Sequence, residues 1–280
     1  MTKGGFHLKL AFNSWMYSSF PSWLPAYPIE EVIKRLAGIG YDGIEIGAAS
    51  PVAYPEDLDA KRREEIKKLL NTSGIAVSSV LPAPGGGPGY NVASPTLKER
   101  ERSVQYYKDC IDLAHDLGAK VVLYVAGWQI FGVRYREAWN WSKECLVECA
   151  QYALPKGVMM AVEPTPADSN LIETADDALY LMEAVNMSNV RVMFDTFHVL
   201  YRNEIMSDYV KRMDKNLINV HVSDIDRLPP GSKNDFRPFI EALKEVGYEG
   251  YLTMEIGFGS RSNDPDAFAR KSLEYLKSII

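Results

Sequence analysis

Val158-Met-Met-Ala-Val-Glu163, Val190-Arg-Val-Met-Phe-Asp195, Leu217-Ile-Asn-Val-His221 and Tyr251-Leu-Thr-Met-Glu255 are four short apolar runs, each ending on a side chain able to bind a metal ion or move a proton. Runs of this length and composition read as buried strands. One helix-length segment separates each from the next, and Glu163, Asp195, His221 and Glu255 fall about 26 to 34 residues apart. That spacing is one strand-plus-helix unit of a repeating β/α barrel, in which successive parallel strands end at one face. All four side chains are therefore expected at one mouth.

The same alternation extends back to the N-terminus. Residues 8–13 read as a first strand, followed by an aromatic and proline-rich loop from Trp15 to Tyr27 that would lie over the mouth. Pro28 opens a helix that stops at Gly38–Gly40, the usual order of proline first and glycine last. Residues 41–47 form a second strand whose Glu45 can serve the mouth or act as a structural hydrogen-bond acceptor. A charged helix over 55–72 and a third strand over 75–81 follow. In the loop from Pro82 to Asn91 prolines alternate with the glycines, no lysine follows and no helix starts, so it reads as a mouth loop and not a phosphate cradle. A long helix over 96–117, a fourth strand over 120–125, a loop with Trp128 and a helix bearing Trp139, Trp141, Leu146, Cys149 and Tyr152 lead into the quoted runs. Helices over 174–185, 204–214, 236–246 and 265–279 complete eight strands and eight helices. The expectation is a single α/β domain over residues 1–280, a (β/α)8 TIM barrel, for which roughly 250 residues is typical.

Composition narrows the function. An apolar share of 46% and a charged share of 24% are ordinary globular values, so a full core is available. A net charge of −6 weighs against a nucleic-acid or anionic-membrane surface. Lys9 interrupts the only apolar run near the N-terminus, which argues against a secretory signal, and no run approaches the roughly 20 apolar residues of a membrane span. Cys110, Cys145 and Cys149 sit in helical contexts without a CxxC spacing, and read as buried free thiols in a reducing cytoplasm.

Two glutamates, one aspartate and one histidine offer hard oxygen donors and one imidazole, a set suited to Mn²⁺, Mg²⁺ or Co²⁺. An ion held this way keeps open positions that a sugar's adjacent carbonyl and hydroxyl oxygens can fill, polarising the carbonyl and acidifying the neighbouring C–H. A carboxylate on each side of that carbon can then remove and replace the proton, giving an isomerase or epimerase through a metal-stabilised enediolate. Taken singly, any of these acids could cap a helix or pair with an arginine, and His221 could be a satisfied core histidine. Four such residues at successive strand ends argue for a site.

Val162-Glu-Pro, Phe194-Asp-Thr-Phe-His, Val220-His-Val-Ser-Asp with Arg227 six residues after His221, and Thr253-Met-Glu255 resemble the signatures of the sugar isomerase/epimerase family of xylose-isomerase-like TIM barrels. Within it they are most similar to the ketose 3-epimerases that act on tagatose, psicose and related sugars. The resemblance runs from the first strand to Gly247-Tyr-Glu-Gly-Tyr251. It implies that Glu163 and Glu255 are paired acid/base carboxylates that also ligate the metal, usually Mn²⁺, with Asp195 and His221 completing the coordination. It further implies that His198 and Arg227 hold substrate oxygens and that Arg227 stabilises the enediolate. Trp15, Trp23 and Trp128 would shape the pocket. Family members often carry a second glutamate a few residues after the one at strand five. Here the nearest acid is the shorter Asp168, which leaves the sugar's identity open. Without the resemblance, His198 could cap the loop after strand six and Arg227 could pair with Asp224 or Asp226.

The reading that follows is a cytoplasmic, divalent-metal-dependent epimerase inverting C3 of a free ketose or related keto-sugar, its partner a small-molecule sugar and its assembly, by resemblance, a homodimer or homotetramer. The nearest alternatives on the same scaffold are aldose–ketose isomerisation, phosphosugar epimerisation, and lyase or hydrolase chemistry on a keto-glycoside. A phosphosugar enzyme needs an anchor, for which Arg134 and Arg136 are the only loop cluster. A phosphodiesterase acting on damaged DNA generally uses more metals and more histidines than this chain's four, of which His7 and His115 lie far from the mouth. A sugar-binding barrel without catalysis would have no need of two opposed glutamates.

Overall fold

Parallel strands β1 (Lys9–Asn13), β2 (Gly43–Gly47), β3 (Ala76–Leu81), β4 (Val121–Val125), β5 (Met159–Glu163), β6 (Val190–Asp195), β7 (Leu217–Val222) and β8 (Tyr251–Met254) pair in chain order. β8 returns to β1, with Leu10 beside Leu252 and Phe12 beside Met254, so the sheet is a closed barrel. This computed structural model describes residues 8–17, 27–83, 85, 87–257 and 263–280; His7, Trp23 and most of the loop from Trp15 to Tyr27 lie outside them.

Helices α1 (Ile29–Ile39), α2 (Ala60–Ser73), α3 (Leu97–Leu117), α4 (Tyr135–Ala153), α5 (Ala175–Val185), α6 (Thr196–Tyr201), α7 (Met206–Met213), α8 (Arg237–Glu245) and α9 (Pro265–Ile279) follow the strands. Each forms for a local reason. In α1 the buried Ile29, Val32, Ile33 and Leu36 recur at helical spacing and make one apolar stripe, while Gly40 in the left-handed region returns its N–H to Leu36 and Ala37. In α5 the Thr174 hydroxyl accepts from the Asp177 N–H and the Asp177 carboxylate accepts from the Thr174 N–H, a reciprocal cap.

The described residues hold nine α-helices, one more than the sequence predicts. The additional one is α6, wedged between β6 and α7. It starts because the Asp195 carboxylate accepts from the Phe197 N–H at 2.8 Å. The Thr196 hydroxyl donates to the Ser223 carbonyl at 2.7 Å and accepts from the Ser223 N–H at 2.9 Å, which pins the helix to the end of β7.

Strands covered on both faces need apolar residues throughout, which is why they read as continuous runs. The main core fills the layer between sheet and helices, where Phe194 meets Phe239 edge to face at 6.1 Å. Burying such a ring contributes about 1.5–3 kcal/mol. Leu81, Leu123, Ala161 and Met193 form a second, smaller apolar cluster. Polar residues are buried as well, with Asn13, Glu45, Ser79, Asn219 and His221 among them.

Candidate active site

Glu163, Asp195, His221 and Glu255 converge at the C-terminal ends of the strands, the face on which β/α barrels carry their chemistry. Glu163 and Asp195 are the last residues of β5 and β6, His221 is the penultimate residue of β7, and Glu255 follows β8 directly. Ligand atoms of Asp195, His221 and Glu255 lie within 4.8 Å of one another, and so do those of Glu163, Asp195 and His198. His221 Nδ1 is 3.1 Å from Glu255 Oε2 and 3.9 Å from Glu163 Oε1, which links the two sets.

The electrostatics separate the two glutamates. Burial, and then the neighbouring charges of Glu255 and Asp195, hold the Glu163 carboxyl well above the usual carboxylate range despite the opposing pull of His221. Burial pushes Glu255 the same way, but Arg227 and His221 outweigh it and hold Glu255 below that range. Burial also raises Asp195, against Arg227. For His221, burial disfavours the charged ring, yet Glu45 and Glu255 prevail and its proton affinity rises well above that of an ordinary histidine. Four buried acids, Glu45, Glu163, Asp195 and Glu255, thus crowd around His221 and Arg227. Hard oxygens with imidazole nitrogens at this density fit a divalent ion, which Asp195, His221 and Glu255, or Glu163, Asp195 and His198, could hold.

Arg227 reaches the site from a strained turn. Asp226 and Arg227 both adopt positive φ, 61° and 56°, a region costly for residues other than glycine. The turn is held where the Gly257 N–H donates to the Arg227 carbonyl at 2.7 Å and the Asp224 N–H to the Leu228 carbonyl at 2.8 Å. The guanidinium pairs with Asp195 and, at 2.8 Å, with Glu255, and lies 4.3 Å above the Phe197 ring. The partners open to it on sequence grounds are otherwise engaged: Asp224 accepts from Asn234 and Lys233 N–H groups, and Asp226 pairs with the Lys233 ammonium.

His198 is a buried residue of α6, not a loop cap. Its Nδ1 accepts from the Ala167 N–H at 3.4 Å, and its Nε2 lies 3.4 Å from the Asp168 carboxylate, whose side chain is 68% exposed at the rim. Burial lowers the proton affinity of the ring. A cavity of about 440 Å³ opens over the carboxylates, lined by Glu163, Asp168, His198, Arg227 and Glu255 and walled by Trp15 and Trp128. Pro82, Gly85, Gly87 and Pro88 line it too, as expected of a mouth loop; Pro84 and Gly86 lie outside the described residues. Arg134 and Arg136 are exposed at the start of α4 and do not line it.

Both tryptophans are seated by polar and small residues. Asn91 grips the Trp128 backbone from both sides, accepting from its N–H at 3.1 Å and donating to its carbonyl at 2.9 Å. A Cβ on Gly127, at φ 76°, would collide with that same Asn91 amide. Trp15 packs against Gly47, where a Cβ would collide with the Trp15 side chain. The Asn13 amide accepts from the Trp15 N–H at 2.8 Å and donates to Glu255 at 3.2 Å, coupling wall to carboxylate. Asn13, Asn91 and Ser79 escaped the sequence reading. For Ser79 the available signal was a polar residue inside an apolar run, and for Asn13 a polar residue at the end of one.

A closed eight-stranded parallel barrel with a carboxylate and imidazole cluster at its C-terminal mouth defines a β/α-barrel enzyme. The xylose isomerase-like TIM barrel family matches residues 33–279, and the chain belongs to that family of sugar-processing enzymes. Fructoselysine 3-epimerase of Shigella flexneri is 28% identical over 260 residues, covering 90% of this chain and 94% of that protein. D-psicose 3-epimerase of Ruminiclostridium cellulolyticum is 28% identical over 233 residues, covering 80% and 76%. The crystal structure of D-psicose 3-epimerase with D-tagatose from Clostridium cellulolyticum superimposes with a TM-score of 0.82 at 21% identity, covering 97% of this chain and 99% of that one, a likeness of fold.

Proposed function

We propose that this protein is a divalent-metal-dependent epimerase that inverts carbon three of a free ketose or related keto-sugar. The observation that carries the reading is that Glu163 and Glu255 line one cavity from strands three places apart in the ring, so that a sugar carbon held between them can meet a carboxyl group from either side. Inversion by proton transfer needs one ionised and one protonated group on opposite faces of the reacting carbon. Glu255, kept ionised by Arg227 and His221, takes the proton from one face. Glu163 returns one to the other, and the roles exchange in the reverse direction.

The negative charge that develops on the substrate oxygen is met by the Arg227 guanidinium, fixed in advance by its turn and by the Phe197 ring. His198 and Asp168 hold hydroxyl groups, and Trp15 and Trp128 wall the sugar's apolar face. Glu163, Asp195, His221 and Glu255 would hold the metal, Mn²⁺ with Co²⁺ or Mg²⁺ as substitutes, and the bound ion supplies polarisation of the carbonyl beside C3.

Two observations favour a free sugar altered at C3. For C3, two relatives similar in sequence are named fructoselysine 3-epimerase and D-psicose 3-epimerase. Among the described residues lining the cavity, Arg227 is the only guanidinium or ammonium, and it is paired with two carboxylates, so a phosphate would find no free cation. A homodimer or homotetramer in the cytoplasm completes the proposal; the three buried free thiols suit a reducing compartment.

The test is incubation of the Mn²⁺-loaded protein with a panel of free ketoses in D₂O, followed by NMR. Deuterium at C3 together with a C3 epimer is the expected result. Exchange at C1 or C2 with an aldose product would make the enzyme an isomerase instead. Absence of exchange with every sugar, metal being bound, would overturn the free-ketose reading.

A further inference from the structure

A buried carboxylate stands behind His221, on the side away from the other acids. Glu45 comes from β2, which is not a neighbour of β7 in the ring, so the contact crosses the barrel interior. Its two oxygens lie 2.9 and 3.0 Å from His221 Nε2. The Ser79 hydroxyl on β3 donates to Glu45 Oε2 at 2.6 Å, and Ser79 in turn meets the Ser78 hydroxyl at 3.2 Å. Glu45, Ser79 and His221 are all 0% exposed.

Such a group is a poor choice for stability. An isolated buried carboxylate is expensive, and a buried ion pair can often be replaced by apolar side chains without loss. The neighbours Glu45 meets are the Ser79 hydroxyl and the His221 ring, so its burial is tied to those two groups. Its placement has a clearer meaning for His221. An imidazole that donates Nε2–H to Glu45 must present Nδ1 to Glu255 and Glu163, and a ring turned over would leave Glu45 facing carbon.

We propose that Glu45, held by Ser79, is a positioning residue that fixes the ring orientation and tautomer of His221, so that Nδ1 is the nitrogen offered to the metal. The inference rests on the metal site proposed above. Carboxylates behind metal-bound histidines also make the ligand nitrogen more basic, and their removal typically weakens metal affinity about 10–100-fold.

The test is Mn²⁺ binding to the full chain, measured by titration calorimetry and by the EPR signal of free Mn²⁺, for the parent, Glu45→Gln, Glu45→Ala, Ser79→Ala and His221→Asn. The expected result is a rise in Kd of about 10–100-fold for both Glu45 variants and a smaller rise for Ser79→Ala. Long-range ¹H–¹⁵N spectra of the Mg²⁺-loaded protein supply a readout that loss of packing alone would not move. The parent shows His221 as the single Nε2–H tautomer, and Glu45→Ala shows a mixture. If Glu45→Ala does not fold, Glu45→Gln and Ser79→Ala, which change volume little, decide the matter. Mn²⁺ affinity within twofold of the parent in Glu45→Gln, with an unchanged tautomer, overturns the proposal and leaves the metal site standing. A parent that takes up no Mn²⁺, or a His221→Asn variant that binds as tightly as the parent, overturns the metal site and this proposal with it.

Discussion

Glu163 and Glu255 are the same side chain in the same cavity, and only their neighbours differ. Burial acts on both, but Glu163 faces further carboxylates, whereas Glu255 faces the Arg227 guanidinium at 2.8 Å and the His221 ring at 3.1 Å. Taking the negative charge from Glu255 therefore removes the proposed base without removing the space it fills. Glu255→Gln, assayed at saturating Mn²⁺, is expected to lower the rate of C3 deuterium exchange by about 10²–10⁴-fold, the usual worth of a general base. Sugar binding measured by calorimetry should stay within a few-fold of the parent, because the amide keeps the shape of the cavity. A variant that still exchanges deuterium at the parent's rate would remove Glu255 from the chemistry. The same logic separates Arg227 from an ordinary surface arginine: its proton affinity is raised because Asp195 and Glu255 outweigh the cost of burial, so it stays charged throughout the working pH range.

The turn between β7 and α8 shows how an element aims a residue. Asp224 is buried just after β7, and its carboxylate accepts from the Lys233 and Asn234 N–H groups at 2.7 and 2.9 Å and from the Asn234 side chain at 2.5 Å. Burial opposes its charge, but these donors prevail and hold its pKa below the usual value. A group whose folded pKa lies below the unfolded one, about 3.9, gives its full stabilisation above that value and loses it as pH falls through the folded one. Asp224→Asn is therefore expected to cost about 1–3 kcal/mol at pH 7, from buried donors left facing an amide, and the cost should shrink below about pH 4. Urea midpoints of parent and variant at both pH values check this, and an equal gap at both would refute it. Turnover should fall as well, since the turn carries Arg227. Elements of this kind decide what the sequence discloses. Strands buried on both faces are legible as apolar runs, and the three acids and one histidine at their ends are legible because each breaks such a run with a side chain able to bind a metal or move a proton. The helix α6 is only six residues long, too short to show a period, so His198 could be predicted as a functional residue but not placed on a helix. Glu45 was visible between Ile44 and Ile46, yet its partner lies 176 residues away across the barrel, and spacing carries no information about a contact of that kind.

At the scale of the whole molecule, closure of the barrel brings charges from strands scattered along the chain into one low-dielectric mouth. Glu45, Glu163, Asp195 and Glu255 are all buried there, against His221 and Arg227, in a chain that already carries a net charge of −6. The unfolded chain pays no such cost, because its carboxylates are in water and far apart. A divalent ion that binds only the closed arrangement must then stabilise the entire fold, by an amount set by its concentration relative to Kd. At 100 times Kd the gain is about 2.7 kcal/mol. For a chain of this size each kcal/mol moves Tm by roughly 2–4 °C, so saturating Mn²⁺ should raise Tm by about 5 °C or more over the EDTA-treated protein. The shift should grow with the logarithm of the Mn²⁺ concentration and should vanish in His221→Asn, whose cluster lacks its imidazole. Differential scanning fluorimetry at several Mn²⁺ concentrations distinguishes this from a general salt effect, because an indifferent salt at equal ionic strength gives no logarithmic rise. A melting temperature that is the same in EDTA and in saturating Mn²⁺ would mean that the clustered carboxylates hold no ion, and that their charge is balanced by Arg227 and His221 alone.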